Sequence, residues 1–148
     1  MRQQLIDQGY VLRSGWNDAI EHSFEVWYNF SADPRVSYYA TFFKQEHRNS
    51  AGLAHGGMLA AFLDHCMGSM CWRISSGNMG WTTAINLQFL HPARVDRWIF
   101  AKIEHAAGTG STVLLDGTLY QDSINGRTVA QGQGTFSIRR PAKKEKNQ

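Results

Sequence analysis

Between Met58 and Cys71 the apolar residues recur at steps of three and four: Met58, Leu59, Phe62, Leu63, Cys66, Met67, Met70 and Cys71. That spacing predicts a helix. No proline interrupts it, and Ala60, Ala61, Gly68 and Ser69 keep the remaining surface small. A helix apolar on nearly every side is a buried one, and small side chains let a sheet lie close against it. Asp64 breaks the pattern. A carboxylate in such a run is rarely buried unless it is paired or used. The run opens at His55-Gly56-Gly57, after a loop that holds Asn49 and Gly52.

Elsewhere the period changes to two. Residues 1 to 20 are mixed and read as a short helix or irregular lead-in. From Ser23, Phe24, Val26, Tyr28 and Phe30 alternate with polar neighbours, which predicts a strand. Asp33-Pro34 marks a turn, and Val36 to Phe43 is a second strand-like run. After the helix, Ser75 to Gly80 reads as a loop. Four more strands are expected: about 81–89, 98–106, 112–121 and 127–139. In the first of these, Trp81, Thr83, Ile85, Leu87 and Phe89 share one face, with Thr82, Ala84, Asn86 and Gln88 on the other. Asn125-Gly126 is a hairpin signal. In the last strand Ala130, Gly132, Gly134 and Phe136 share a face small enough to pass close to a helix. Two strands, a buried helix and four strands define an α+β domain, one antiparallel sheet with the helix on one face.

With 148 residues, the chain is expected to form a single domain with a core of its own. Its longest apolar run is too short for a membrane span, and residues 1–10 lack a signal-peptide layout. A cytoplasmic location is expected. The basic charge does not indicate nucleic-acid binding. The last ten residues, RRPAKKEKNQ, carry five basic side chains against one acidic, or +4, while the whole chain carries +3. The body is therefore close to neutral, without the basic stripe that a nucleic-acid surface needs. Residues 140–148 read as a solvated, disordered tail. Cys66 and Cys71 are the two cysteines. Five apart on a helix, they face different sides, and a reducing compartment suits them.

Several chemistries lack their motifs. There is no GxSxG, HExxH or GxxxxGK[ST] pattern, and the six histidines fall at no metal-ligand spacing. No metal or cofactor is expected. The organising stretch remains. Gly56-Gly57 would leave backbone N–H groups open at a helix N-terminus, where the dipole favours negative charge. Such donors suit a carbonyl becoming an oxyanion, and the Asn49 amide could join them. Tight helix–sheet packing is an equally good account of the two glycines. Asp64 lies seven residues after Gly57, roughly 10 Å along the helix axis. One carbonyl held at Gly57 is out of reach of Asp64 in the same chain, so chemistry using both requires a second, antiparallel copy.

These residues together resemble a known family. Asn49, His55-Gly56-Gly57, Asp64, Trp81-Thr82-Thr83 leading into NLQFLHPA, and the closing VAQGQGTF are similar to the hotdog-fold acyl-CoA thioesterases, in particular the phenylacetate-pathway branch. The likeness spans about residues 23 to 139. It implies a five- or six-stranded antiparallel sheet wrapped around the helix, homodimers, and dimers of dimers. It implies hydrolysis of an acyl-CoA to free acid and CoA. Asp64 of one chain would act as base or nucleophile, Gly57 N–H and Asn49 of the other would polarise the carbonyl, and Thr82 would orient water. His55 belongs to the same catalytic group. Gly56, Thr83, Arg94, Arg139 and Arg140 are the expected substrate contacts, the arginines meeting the CoA phosphates. Two alternatives are an acyl-CoA-binding regulatory module without turnover and an enoyl-CoA hydratase. The hydratase ranks lower because Asp64 and His65 are adjacent and do not face the same way.

Overall fold

The computed structural model describes residues 1–15 and 18–138. Among the described residues there are three α-helices: α1 (Arg2–Asp7), α2 (Ala19–Ser23) and α3 (Gly56–Ile74). The strands are β1 (Val11–Leu12), β2 (Trp27–Phe30), β3 (Val36–Phe43), β4 (Gly80–Phe89), β5 (Arg97–Thr109), β6 (Thr112–Gln121) and β7 (Arg127–Ile138). They form one antiparallel sheet in the order β1-β2-β3-β5-β6-β7-β4. The hotdog arrangement expected from the resemblance is the one observed, with seven strands rather than five or six. The extra strand is the two-residue β1, which pairs with Tyr28 and Trp27. The expected lead-in is α1, β1 and α2. Ser23 does not begin a strand, because Asp18 caps α2, its side chain accepting from Glu21 N–H at 2.9 Å. Phe24 and Val26 still enter the core.

Helix α3 runs where the three-and-four spacing places it. Leu59, Phe62, Leu63, Cys66, Met67, Met70 and Cys71 are all buried, and the sheet packs along them. Two glycines permit that approach. A Cβ on Gly117 would sit 2.7 Å from both Leu63 Cδ1 and Met67 Cε, and one on Gly134 would sit 2.6 Å from Met67 Sδ. Gly132 does not serve the helix; a Cβ there would meet Asn86 O at 2.4 Å, so it serves the close approach of β4. At the far end of α3, Arg73 donates to Ser31 O and Val36 O, both at 2.6 Å, and to Ser37 Oγ at 2.9 Å. A cation here also opposes the negative end of the helix dipole, and it ties the β2–β3 hairpin to the helix.

The outer sheet face divides in two. Leu5 of α1 and Tyr10 pack on Trp27, Trp98 and Phe100, and Arg2 grips Glu25 through two hydrogen bonds of 2.9 and 2.7 Å. The remainder, over β4, β7 and β6, is polar: Asn86, Gln88, Gln131, Gln133, Asp116 and Thr118. β4 is an edge of the sheet, opposite β1, and is exposed along most of its length, Trp81 and Phe89 each at 54%.

Candidate functional site

Asp64 sits on the half-buried flank of α3, and Thr82 Oγ1 donates to its Oδ1 at 2.7 Å. The pairing corrects the expected placement of Thr82 on the face opposite Ile85, Leu87 and Phe89. The register of β4 on β7 shifts between Thr82 and Ala84, leaving Thr83 unpaired. This extra residue turns Thr82 toward the helix, on the same side as Leu87, which packs on the core, and Phe89, which lies against Gly56. Thr83 Oγ1 instead donates to Thr135 O at 3.0 Å. A bulge that re-aims a side chain is common beside functional sites.

Asp64 and Thr82 open onto a cleft of about 340 Å³. Its other walls are largely aromatic: Tyr28, Phe30, Trp72, Trp81 and Phe136. His65 borders the same cleft, so it and Asp64 share a site although they are adjacent on the helix. Arg13 and Asp18 complete it, paired at 2.6 Å. The hydrogen bond from Arg13 holds the Asp18 carboxyl down at about 2. Burial, followed by the Arg13 charge, pushes His65 down to about 4. Arg13 and Asp18 carried no signal in the sequence, since nothing local shows that the N-terminal segment reaches the middle of α3; His65 entered there only as the neighbour of Asp64 in the hydratase alternative. Burial also holds the Cys66 thiol well above its usual range, and both cysteines are unpaired.

The start of α3 borders a second cleft, of about 320 Å³, lined by Asn49, Gly56, Leu59, Phe89 and His91 among others. Here His55 is the N-cap. Its Nδ1 accepts the Gly57 N–H at 2.9 Å, and its carbonyl accepts from Met58 and Leu59. Gly57 N–H is therefore held by its own neighbour, while Gly56 N–H has no hydrogen-bond partner among the described residues, and Gly56 lines the cleft together with Asn49. Asn49 Oδ1 accepts from Ala51 and Leu53 N–H at 3.0 and 3.1 Å, which fixes its NH₂ as the end available to donate. Arg94 reaches this region through a bridge between its backbone and Leu53. Arg139 and Arg140 lie outside the described residues. Buried His47 is structural, its Nδ1 accepting from Lys44 N–H and its Nε2 donating to Ser23 O.

The structure thus joins Asp64 to Thr82 and Asn49 to Gly56, and places the two pairs in separate clefts. The antiparallel sheet packed along the single long helix defines a hotdog fold. The thioesterase superfamily model matches residues 51–125, and the chain belongs to that family. No curated protein matches it. Among solved structures it is similar to the Escherichia coli PaaI protein of the phenylacetic acid degradation operon, with 20% identity and a TM-score of 0.73 over 83% of this chain and 86% of that one. A Streptococcus mutans protein bound to acetyl-CoA gives 17%, 0.70, 86% and 97%. A hypothetical thioesterase from Streptococcus pneumoniae with coenzyme A gives 23%, 0.66, 76% and 85%. At these identities the likeness is one of fold. Among the described residues no helix is long and apolar enough to cross a membrane, and no group of three or more His, Cys, Asp or Glu could hold a metal.

Proposed function

We propose that this protein is an acyl-CoA thioesterase whose working site forms between two copies of the chain. One observation carries the reading: the carboxylate pair and the donor pair lie at opposite ends of the same exposed edge strand. Asp64–Thr82 adjoins the Gly80 end of β4, and Gly56–Asn49 adjoins its Phe89 end. A long open edge with exposed apolar residues calls for a partner. Antiparallel pairing of two β4 edges about a two-fold axis sets each carboxylate cleft against the partner's donor cleft. The coenzyme A bound by the Streptococcus pneumoniae protein supports the substrate class.

In this reading the acyl group enters the aromatic cleft and the thioester carbonyl lies between the two half-sites. Gly56 N–H and the Asn49 amide donate to the carbonyl oxygen as it gains charge. Gly57 serves by holding the His55 cap, and His55 by setting the helix start. Thr82 occupies one oxygen of Asp64, leaving the other to take a proton from the attacking water or to attack the carbonyl itself. The thiolate of CoA then leaves. Arg94, beside the Asn49 loop, is placed to meet a phosphate. Two unpaired thiols suit a reducing, cytoplasmic setting.

The test is complementation. Asp64→Ala and Asn49→Ala chains are each expected to be nearly inactive on a panel of acyl-CoAs, read by released thiol. After verified subunit exchange, a mixed dimer has one site with both lesions and one with neither. A random mixture, half of it mixed dimers, then recovers about a quarter of wild-type activity. No recovery despite exchange rules out the shared site. Wild-type protein that binds CoA but hydrolyses no acyl-CoA would instead be the binding module.

A further inference from the structure

The donor cleft at the start of α3 is mostly apolar, with Leu53, Leu59, Phe89 and Leu90 among its walls. Its polar groups are Asn49, the Gly56 backbone and His91, and His91 is the only titratable side chain among the described residues that line it. The acyl transfer proposed above uses the first two and gives His91 no task.

His91 is held in place from two sides. Leu90 and His91 N–H both donate to Val129 O, at 2.9 and 3.3 Å, and Arg127 donates to Pro92 O at 2.8 Å. These bonds fix the segment after β4 on the start of β7. Two residues earlier, the Phe89 ring lies 3.2 Å from where a Cβ on Gly56 would be, so this strand end adjoins the helix start. His91 Nδ1 is 2.8 Å from Thr128 O. A carbonyl only accepts, so Nδ1 carries a hydrogen and Nε2 is the nitrogen left to exchange a proton. The residue is exposed, and solvent can reload it.

Resting on the thioesterase reading, we propose that His91 is the general acid that protonates the departing CoA sulfur. In that reading the acyl chain occupies one chain's aromatic cleft, and the carbonyl oxygen meets Gly56 and Asn49 of the other. The sulfur leaves the carbonyl carbon on the side away from the acyl chain, along the donor cleft. As the tetrahedral intermediate collapses, the C–S bond breaks and its electron pair goes to sulfur. The His91 imidazolium gives its Nε2 proton to that sulfur, leaving neutral imidazole and the CoA thiol. The proton that Asp64 takes from water is released to solvent, and one from solvent reloads His91. Without this transfer a thiolate would form among apolar walls, where an unpaired charge is costly.

The experiment compares two thioesters of one acyl group, the one that wild-type protein turns over best. One is its CoA ester. The other is its nitrothiophenol ester, whose thiolate is stabilised by the ring and leaves without a proton. His91→Gln should lower kcat on the CoA ester about 10²-fold, with a fall on the aryl ester at least about tenfold smaller. His91→Asn separates proton transfer from anchoring, because its amide nitrogen stands at the position of Nδ1 and keeps a donor for Thr128 O. It should show the same selective loss, and it carries the comparison if His91→Gln does not fold. Equal falls on the two esters, no fall on either, or normal CoA-ester turnover in His91→Asn overturns the role of His91 and leaves the thioesterase reading standing. Wild-type protein that hydrolyses no CoA ester ends the thioesterase reading, and this role with it.

Discussion

The two clefts on α3 differ in almost every chemical respect. The one at the helix start offers donors, the Gly56 N–H and the Asn49 amide, and contains no carboxylate. The one two turns further on offers Asp64 and the Thr82 hydroxyl, enclosed by aromatic rings. The first can stabilise a developing oxyanion but cannot activate water. The second holds a carboxylate that could activate water, and its hydroxyl, Thr82, is committed to Asp64. Neither is a complete catalyst. The difference teaches that one helix can hold a donor cleft and a carboxylate cleft two turns apart, and it is this separation that the proposed two-chain site would bridge.

The largest expected effects separate the halves directly. Asp64→Asn keeps shape and hydrogen bonding but cannot take a proton or form an acyl intermediate of the same kind. It should lower kcat by about 10²–10⁴. Asn49→Ala removes one oxyanion donor and should cost about 10²–10³ in kcat. Steady-state thiol release on a folded variant checks each. If either protein keeps near wild-type kcat, that cleft is not part of the site.

A smaller effect sharpens the account of the carboxylate cleft through pH. His65 has its folded pKa at about 4, against 6.5 ordinarily. Between those values the unfolded chain binds more protons, so stability is lost as pH falls from about 6.5 toward 4. The full difference is about 3 kcal/mol. Urea denaturation at pH 7 and pH 4.5 should therefore show a larger loss in wild-type protein than in His65→Leu. Equal losses would mean that His65 is not buried neutral.

The smallest change should leave both clefts alone. Gly117→Ala places a methyl 2.7 Å from Leu63 and Met67, and overpacking of this kind costs about 1–3 kcal/mol. The melting temperature should fall. A substantial loss of kcat at a temperature where the variant is folded would show that helix position, and not only the cleft residues, governs activity.

Much of this protein was determined locally. A three-and-four apolar period specifies α3, because only one repeat buries all of Leu59, Phe62, Cys66 and Met70 together. β3 and β6 begin and end where alternation and turn residues place them, at Val36–Phe43 and Thr112–Gln121. Asp64 was visible for the same reason, as a charge in a stripe that otherwise avoids water. Other features depend on hydrogen bonds, strand register and chain path that apolar spacing does not record. The short α2 overrode the alternation at Ser23 because Asp18 supplies a cap. Which helix-start N–H stays open was decided by the His55 ring folding back on Gly57, a rotamer that no spacing encodes. Thr82 faces Asp64 because β4 carries one residue more than β7 beside it, and strict alternation in the sequence points it the other way. Arg13, Asp18 and His65 meet only because β1 carries the N-terminal segment around the sheet edge. Periodicity records which faces are buried, whereas hydrogen-bond register and chain path decide which polar groups meet there.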